Sequence, residues 1–221
     1  MGLGRIQRME FQQRQSQQYL ARAYQVNPNN PDVVREYASS SGGALGAVLF
    51  ERLSNLKETS VWDRMLAAER IAIQRVAGER ELNELASPYE RYFLRLGKSG
   101  GVDRRPAGWI RNASFNDKRT LRLLFDTGSR GVLIAKRKAK QLGLDSLTTT
   151  SVGGFGEGGS NSATIALARR VAINNSVEFR NVVVEVAEQP YVEGIDGLIG
   201  PALFSQFLIT LNGPRNVLEL A

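Results

Sequence analysis

The strongest constraint on the fold is a change of hydrophobic period part-way along the chain, from helical spacing to strand alternation. Residues 11–78 are helical in pattern. Phe11 to Val26 is rich in Gln, Arg and Ala, and it stops at Asn27-Pro28-Asn29-Asn30-Pro31, a cluster that neither helix nor strand accommodates. Pro31 is suited to a helix start, with Asp32 placed to favour the positive end of the helix dipole. Gly42-Gly43 marks the next turn. Ala44 to Leu56 and Ser60 to Val76 form two more amphipathic segments, with Trp62, Met65, Leu66, Ile71 and Ile73 as the apolar positions of the second.

The texture then changes. Tyr89, Tyr92, Phe93, Leu94 and Leu96 read as a strand, and Gly97 to Gly101 with Arg104-Arg105-Pro106 read as a loop. Beyond it the pattern is mainly β, with three hairpin signals. Trp109 to Phe115 and Thr120 to Phe125 flank Asn116-Asp117-Lys118. Thr164 to Ile173 and Val177 to Val186 flank Asn174-Asn175-Ser176. Phe207 to Leu211 and Asn216 to Leu220 flank Gly213-Pro214. The expected fold is therefore α+β in two domains: a helical region at 1–78, a linker holding one strand at 79–105, and a β domain at 106–221.

Composition limits the chemistry. The chain has no His and no Cys, which removes Ser-His-Asp triads, Cys-His dyads and the usual zinc ligand sets. Hydrolysis here would have to rest on carboxylates, Ser/Lys pairs or oxygen-ligated metals. The net charge of +7 is spread evenly: residues 1–100 carry 14 Lys/Arg against 11 Asp/Glu, and residues 101–221 carry 15 against 11. A nucleic-acid binder more often gathers its charge on one face beside stacking aromatics. The densest basic stretch, Ala135 to Gln141, places Ala135, Ala139 and Leu142 at helical spacing, so its Lys and Arg residues read as a solvated face and no nucleic-acid partner is expected. No apolar run approaches the roughly 18 residues of a membrane span. Met1 to Glu10 lacks the apolar core of a signal peptide, although a signal further upstream would leave the same sequence, so the compartment stays open between cytoplasmic and exported.

Three motifs carry the chemistry. In Leu123-Leu124-Phe125-Asp126-Thr127-Gly128-Ser129 an apolar strand delivers a carboxylate into a tight turn, where Gly128 allows a backbone N–H to approach the carboxylate without a Cβ in the way. A lone Asp-Thr-Gly is weak evidence, because Asp and Gly are ordinary turn residues. Further on, Ile195-Asp196-Gly197-Leu198-Ile199-Gly200 runs into Pro201 to Gln206, which reads as a buried strand followed by a short helix. Asp196 lies ahead of that strand and is not assigned a catalytic role. Between them, Gly153 to Gly159 holds five glycines in seven residues. This stretch satisfies G-x-G-x-x-G from Gly154, but Ser160 to Ile173 reads as a strand where a dinucleotide loop requires a helix, so a cofactor reading fails.

Together and in this order the motifs resemble retropepsin-like aspartic proteases, over about half the chain. The resemblance implies an all-β acid-protease barrel in which Asp126, Thr127 and Gly128 are catalytic. Ser129, Gly153, Gly154, Phe155 and Gly156 would contact substrate, the glycines as a mobile flap, and Leu198, Ile199 and Gly200 would form the strand packed behind the catalytic loop. It further implies that Thr127 bonds across to a partner lobe and that the Ser129 hydroxyl orients the outer oxygen of Asp126. No cofactor or metal is implied. The family's chemistry needs two facing aspartates, and this chain has one Asp-Thr-Gly, so the expectation is a homodimer hydrolysing polypeptide. Arg130 stands where viral members usually carry an acid, and the flap has Phe155 and no tyrosine. The segment Leu20 to Ala38 resembles the junction between two tetratricopeptide repeats, and the whole arrangement looks most like bacterial proteins joining helical repeats to one protease lobe. That helical region would bind a protein partner. An ordinary helical-hairpin domain stays open beside the repeat reading, since no second copy follows about 34 residues on. Likewise an inactive dimerisation or peptide-binding module stays open beside the enzyme. A carboxylate-pair glycosidase lacks a second acid in comparable context.

Overall fold

The computed structural model describes residues 2–4, 13–41, 43–78, 80–97, 108–129, 131–152, 161–187 and 194–221. The chain divides into two compact units, Met1–Leu82 and Asn83–Ala221.

The first unit is helical: α1 (Gln13–Val26), α2 (Pro31–Ser40), α3 (Gly43–Asn55) and α4 (Val61–Ala77). Its helix starts follow from local chemistry. The Asn30 side chain accepts the Val33 N–H, with Pro31 fitting the first turn of α2. The Ser60 hydroxyl accepts the Asp63 N–H and donates to the Asp63 carboxylate, a reciprocal cap that starts α4. Val34, Ala38, Leu49, Phe50, Leu53 and Ala67 form the core of this unit, with Leu66 and Ile71 packed against it. Two expected core positions are corrected. Trp62 is 76% and Met65 51% exposed, because α4 turns Leu66, Ala67 and Ile73 inward. No helix among the described residues is long and apolar enough to cross a membrane.

The second unit includes two strands that lie within the range 79–105 read as linker: β1 (Glu84–Leu85), which the sequence reading did not identify, and β2 (Tyr92–Gly97), the one strand expected there. β1 pairs with the long strand β8 (Val177–Ala187), and this non-local pairing leaves no periodic signal in so short a segment. The remaining strands are β3 (Trp109–Phe115), β4 (Arg119–Phe125), β5 (Val132–Ala135), β6 (Asp145–Val152), β7 (Asn161–Ile173), β9 (Gly197–Ile199), β10 (Ile209–Asn212) and β11 (Val217–Leu220). A short helix α5 (Lys136–Ala139) follows β5, and a 3-10 turn (Pro201–Phe204) follows β9.

The three hairpins form as the sequence predicts. Asn116 and Asp117 at the β3–β4 turn, and Asn174 and Asn175 at the β7–β8 turn, all have positive φ, the left-handed backbone that Asn and Asp tolerate in tight turns; three residues separate the closing pairs Phe115↔Arg119 and Ile173↔Val177. Asn116 does more than turn the chain: its amide donates to the Leu142 and Gly143 carbonyls and accepts the Arg170 N–H. The strands run in the order β3-β4-β9-β5-β8-β7, and β7 pairs back onto β3, closing a barrel. β2, β11 and β10 extend from β3 as a side sheet, and β6 extends from β7. Phe115, Phe179 and Phe204 are among the largest fully buried side chains, and the last two meet edge to face at 5.7 Å.

On the barrel surface Arg170 bridges Glu178 at 2.7 Å and also bonds Asp117. Glu178 is held below the ordinary carboxylate range, chiefly by the hydrogen bond from Arg170, with burial opposing. A carboxyl depressed by folding stabilises above the unfolded value, and that contribution is lost as pH falls through the lower folded value. Both side chains are partly exposed, so Arg170→Gln is expected to cost under about 1 kcal/mol at neutral pH and nothing near pH 2, read from urea midpoints. An equal cost at both pH values would show that Arg170 acts through packing alone.

Candidate active site

The site is assembled where three strands cross. β9 lies between β4 and β5, parallel to β4 with Leu123↔Gly197, Leu124↔Leu198 and Phe125↔Ile199, and antiparallel to β5. The chain thus leaves β4 through residues 126–131 and returns as β5 on the far side of β9. Both ends of that loop are fastened to β9. The Asp126 N–H donates to the Ile199 carbonyl at 3.0 Å, and the Gly200 N–H donates to the Gly131 carbonyl at 2.7 Å.

Two glycines make the crossing possible. A Cβ on Gly197 would lie 2.1 Å from the Leu133 carbonyl oxygen, and one on Gly200 would lie 2.1 Å from the Ser129 carbonyl oxygen. Neither glycine has an unusual φ, so close approach of backbone explains them, not conformational freedom. In sequence Gly197 reads as half of an Asp-Gly turn; in the structure it begins β9 and is buried.

Asp126 sits half-buried at the end of β4, followed by exposed Thr127 and Gly128. The Gly128 N–H donates to Asp126 Oδ1 at 2.8 Å, and the Ser129 N–H donates to the Asp126 carbonyl at 3.1 Å. A Cβ on Gly128 would come within 3.3 Å of Oδ1, so the turn is matched to its carboxylate. The Ser129 hydroxyl donates to the Gly131 carbonyl at 3.1 Å, which ties it to the loop. Its expected role was to orient the outer oxygen of Asp126. Trp109 pairs opposite Leu124, and the Phe125 N–H donates to the Gly108 carbonyl, so the start of β3 lies alongside the approach to Asp126. Gly153, Gly154, Phe155 and Gly156 lie outside the described residues, as does Arg130; β6 and β7 are paired as far as Val152↔Asn161.

The other acid of the two motifs is fully engaged elsewhere. Asp196 Oδ2 accepts the Arg122 N–H at 3.0 Å, and Oδ1 meets Lys138 Nζ at 2.9 Å. Its backbone N–H and carbonyl bond Arg122 and Ala135. Asp196 therefore braces β4 and β5 at the end of the crossing away from the Asp126 turn. Lys138, which the sequence places on a solvated helix face, is the counter-ion of this brace. The signal for it was the acid four residues before Gly200, which meets α5 only through the tertiary fold. Among the described residues no group of three or more carboxylates is gathered closely enough to hold a metal ion. The concavity lined by Asn27, Asn30, Leu56 and Lys57 belongs to the helical unit and contains none of the site residues.

A closed barrel, a β9 crossing between β4 and β5, and an Asp-Thr-Gly turn fastened to it define the second unit as a retropepsin-like domain. In agreement, residues 112–202 match the aspartyl protease family, a span running from β3 through Asp126 to the 3-10 turn after Gly200. The solved structures similar to the chain include a retropepsin-like aspartic protease from Rickettsia conorii, at 20% identity and TM-score 0.41, covering 59% of this chain and 90% of that one. They also include the EIAV protease complexed with the inhibitor HBY-793, at 17% identity and TM-score 0.36, covering 48% of this chain and 91% of that one. No curated protein matches the chain.

Proposed function

We propose that this chain is an aspartic endopeptidase whose working site is made by two copies, each supplying one Asp126. The observation that carries the reading is the fastening of Asp126: backbone bonded to β9, Oδ1 bonded to the Gly128 N–H, and the carboxylate left half-exposed at the end of a rigid strand. Preorganised in this way, a carboxylate needs no further ordering to act. Two such groups facing across a two-fold axis share one proton, because like charges that close cannot both ionise.

In the reaction the ionised member takes a proton from a water held between the pair. The resulting oxygen attacks the peptide carbonyl carbon, while the protonated member gives its proton to the carbonyl oxygen. Collapse of the tetrahedral species returns a proton to the leaving nitrogen and breaks the C–N bond. No cofactor enters. Thr127 and Gly128 complete the turn, and extended polypeptide would lie across it as an added strand, beneath Gly153, Gly154, Phe155 and Gly156 and beside Ser129. The helical unit, read as tetratricopeptide-like, would engage a protein partner, a role that the exposed Val48, Trp62 and Met65 support.

The test is the dependence of cleavage on enzyme concentration, using an unfolded polypeptide substrate at mildly acidic pH. Specific activity is expected to be constant at high concentration and to fall in proportion to concentration once dimers dissociate. A transition-state inhibitor bearing a hydroxyl in place of the attacking water should hold the dimer together on dilution. Undiminished specific activity from a chain that light scattering shows to be monomeric would overturn the proposal.

A further inference from the structure

Counted by halves the charge is even, yet residues 111–145 hold nine Lys and Arg against three Asp and Glu, six of the chain's seven net positive charges. The fold gathers this excess around one end and flank of the barrel. The Asn116 amide holds the β3–β4 turn against the segment after α5 by bonding the Leu142 and Gly143 carbonyls, and the Lys118 side chain lies over Gly143. Asp196 ties α5 to β4, with Oδ1 on Lys138 and Oδ2 on the Arg122 N–H. Lys118, Arg119, Arg122, Arg137 and Lys140 thereby come together from three stretches of chain, and all five are exposed. None of them has a carboxylate partner among the described residues. The acids at this end are already matched: Asp117 bonds Arg170, Asp145 pairs with Arg169, and Asp196 pairs with Lys138.

The chemistry of the face narrows its partner. Among the described residues of 111–145 no large apolar side chain is exposed. Single-stranded nucleic acid is held by stacking on aromatics, and a membrane interface needs an apolar face to bury, so neither fits. Carboxylates are what the neighbouring cations already hold, Arg169 gripping both oxygens of Asp145 at 3.0 and 3.2 Å. The face also lies within reach of Asp126. On β4 the buried Leu121, Leu123 and Phe125 face the core, so Arg122 and Leu124 share the opposite face, and Asp126 continues it. Four residues of strand put Arg122 about 13 Å from Asp126, the span of about four residues of extended substrate.

We propose that this cationic face binds an acidic stretch of the polypeptide substrate, outside the residues being cut. The link to cleavage rests on the protease reading above; the binding itself does not. In a two-copy site each copy presents one such face, so acids on either side of the scissile bond would be served. Contacts of this kind speed encounter and add affinity equally to substrate and transition state, and they weaken with salt.

The test uses the full chain and a fluorescent deca-glutamate peptide, with binding read by anisotropy. One variant carries Arg119→Gln, Arg137→Gln and Lys140→Gln; a control of equal net charge carries Lys57→Gln, Arg180→Gln and Arg215→Gln. The first is expected to bind about 10-fold more weakly than the wild type, and the control within about twofold. A run of glutamates appended to an unfolded polypeptide substrate should lower KM by about 10-fold without changing kcat, and the first variant should lose that gain while cleaving the untagged substrate normally. Equal weakening in both variants would reduce the effect to net charge and overturn the proposal. Tighter binding of duplex DNA or of phosphatidylserine vesicles than of deca-glutamate, at the same salt, would overturn it in favour of a phosphate-bearing partner. If the wild type cleaves polypeptide with no gain from the glutamates, this inference fails and the protease reading stands. If it binds deca-glutamate through this face but cleaves nothing, the protease reading fails and the acidic-peptide surface stands.

Discussion

Asp126→Asn is expected to reduce peptide cleavage by at least about 1,000-fold while leaving the fold intact. In a site built from two copies of one chain, a single codon change removes both carboxylates. Neither the proton acceptor for water nor the proton donor for the carbonyl oxygen then remains. The structure argues that the loss will be chemical and not structural. The asparagine side-chain oxygen can still accept the Gly128 N–H, which Asp126 Oδ1 accepts at 2.8 Å, and the backbone bond to Ile199 is untouched. Thermal stability should therefore stay within about 1 kcal/mol of the wild type. Dimerisation should persist or strengthen, because two amides facing one another carry no charge to repel. The check is a pair of measurements on one preparation: cleavage rate and solution mass. Full cleavage by the variant would place the chemistry elsewhere in the molecule, and loss of the dimer would give Asp126 an assembly role that the catalytic reading does not assign.

What could be read from the sequence was what depends on neighbours in the chain. Asn116-Asp117 and Asn174-Asn175 announce their hairpins because positive φ at both turn positions is a local requirement, and each hairpin forms where those residues stand. The Asp126 turn was legible for the same reason, since its Gly128-to-carboxylate bond spans two residues. Long-range pairing left weaker traces. β1 is two residues long and exists because Asn83, Ala86 and Ser87 bond to β8 nearly a hundred residues away, so its own residues carry no strand signal and it falls in the range read as linker. Trp62 and Met65 looked like core because amphipathic spacing identifies an apolar stripe without saying what covers it. Lys138 read as a solvated cation because Asp196 reaches it only through the β5–β9 pairing. The Ser129 hydroxyl was aimed at Asp126 by resemblance, while in this chain the Gly131 carbonyl receives it.

Gly200→Ala should be among the most disruptive small substitutions in the second unit, costing on the order of 3 kcal/mol or more. The added methyl would sit 2.1 Å from the Ser129 carbonyl oxygen, 2.7 Å from the carbonyl carbon and 3.2 Å from the Gly131 nitrogen. All three atoms are backbone, so no side-chain rotation relieves the overlap; β9 or the loop that carries Asp126 must move. Moving either breaks the 2.7 Å bond from Gly200 to Gly131 and draws Asp126 away from Ile199, since both bonds fasten the same six-residue loop. For a unit of this size the expected fall in melting temperature is about 10 °C, with cleavage reduced further than the unfolded fraction explains. Gly131→Ala is the control, because it lies in the same loop, has no positive φ and has open space where a Cβ would go. It should melt within about 2 °C of the wild type. Equal damage from the two substitutions would mean that the loop simply tolerates no side chain. Damage confined to Gly200 would trace the position of the carboxylate to one backbone contact across the β9 crossing.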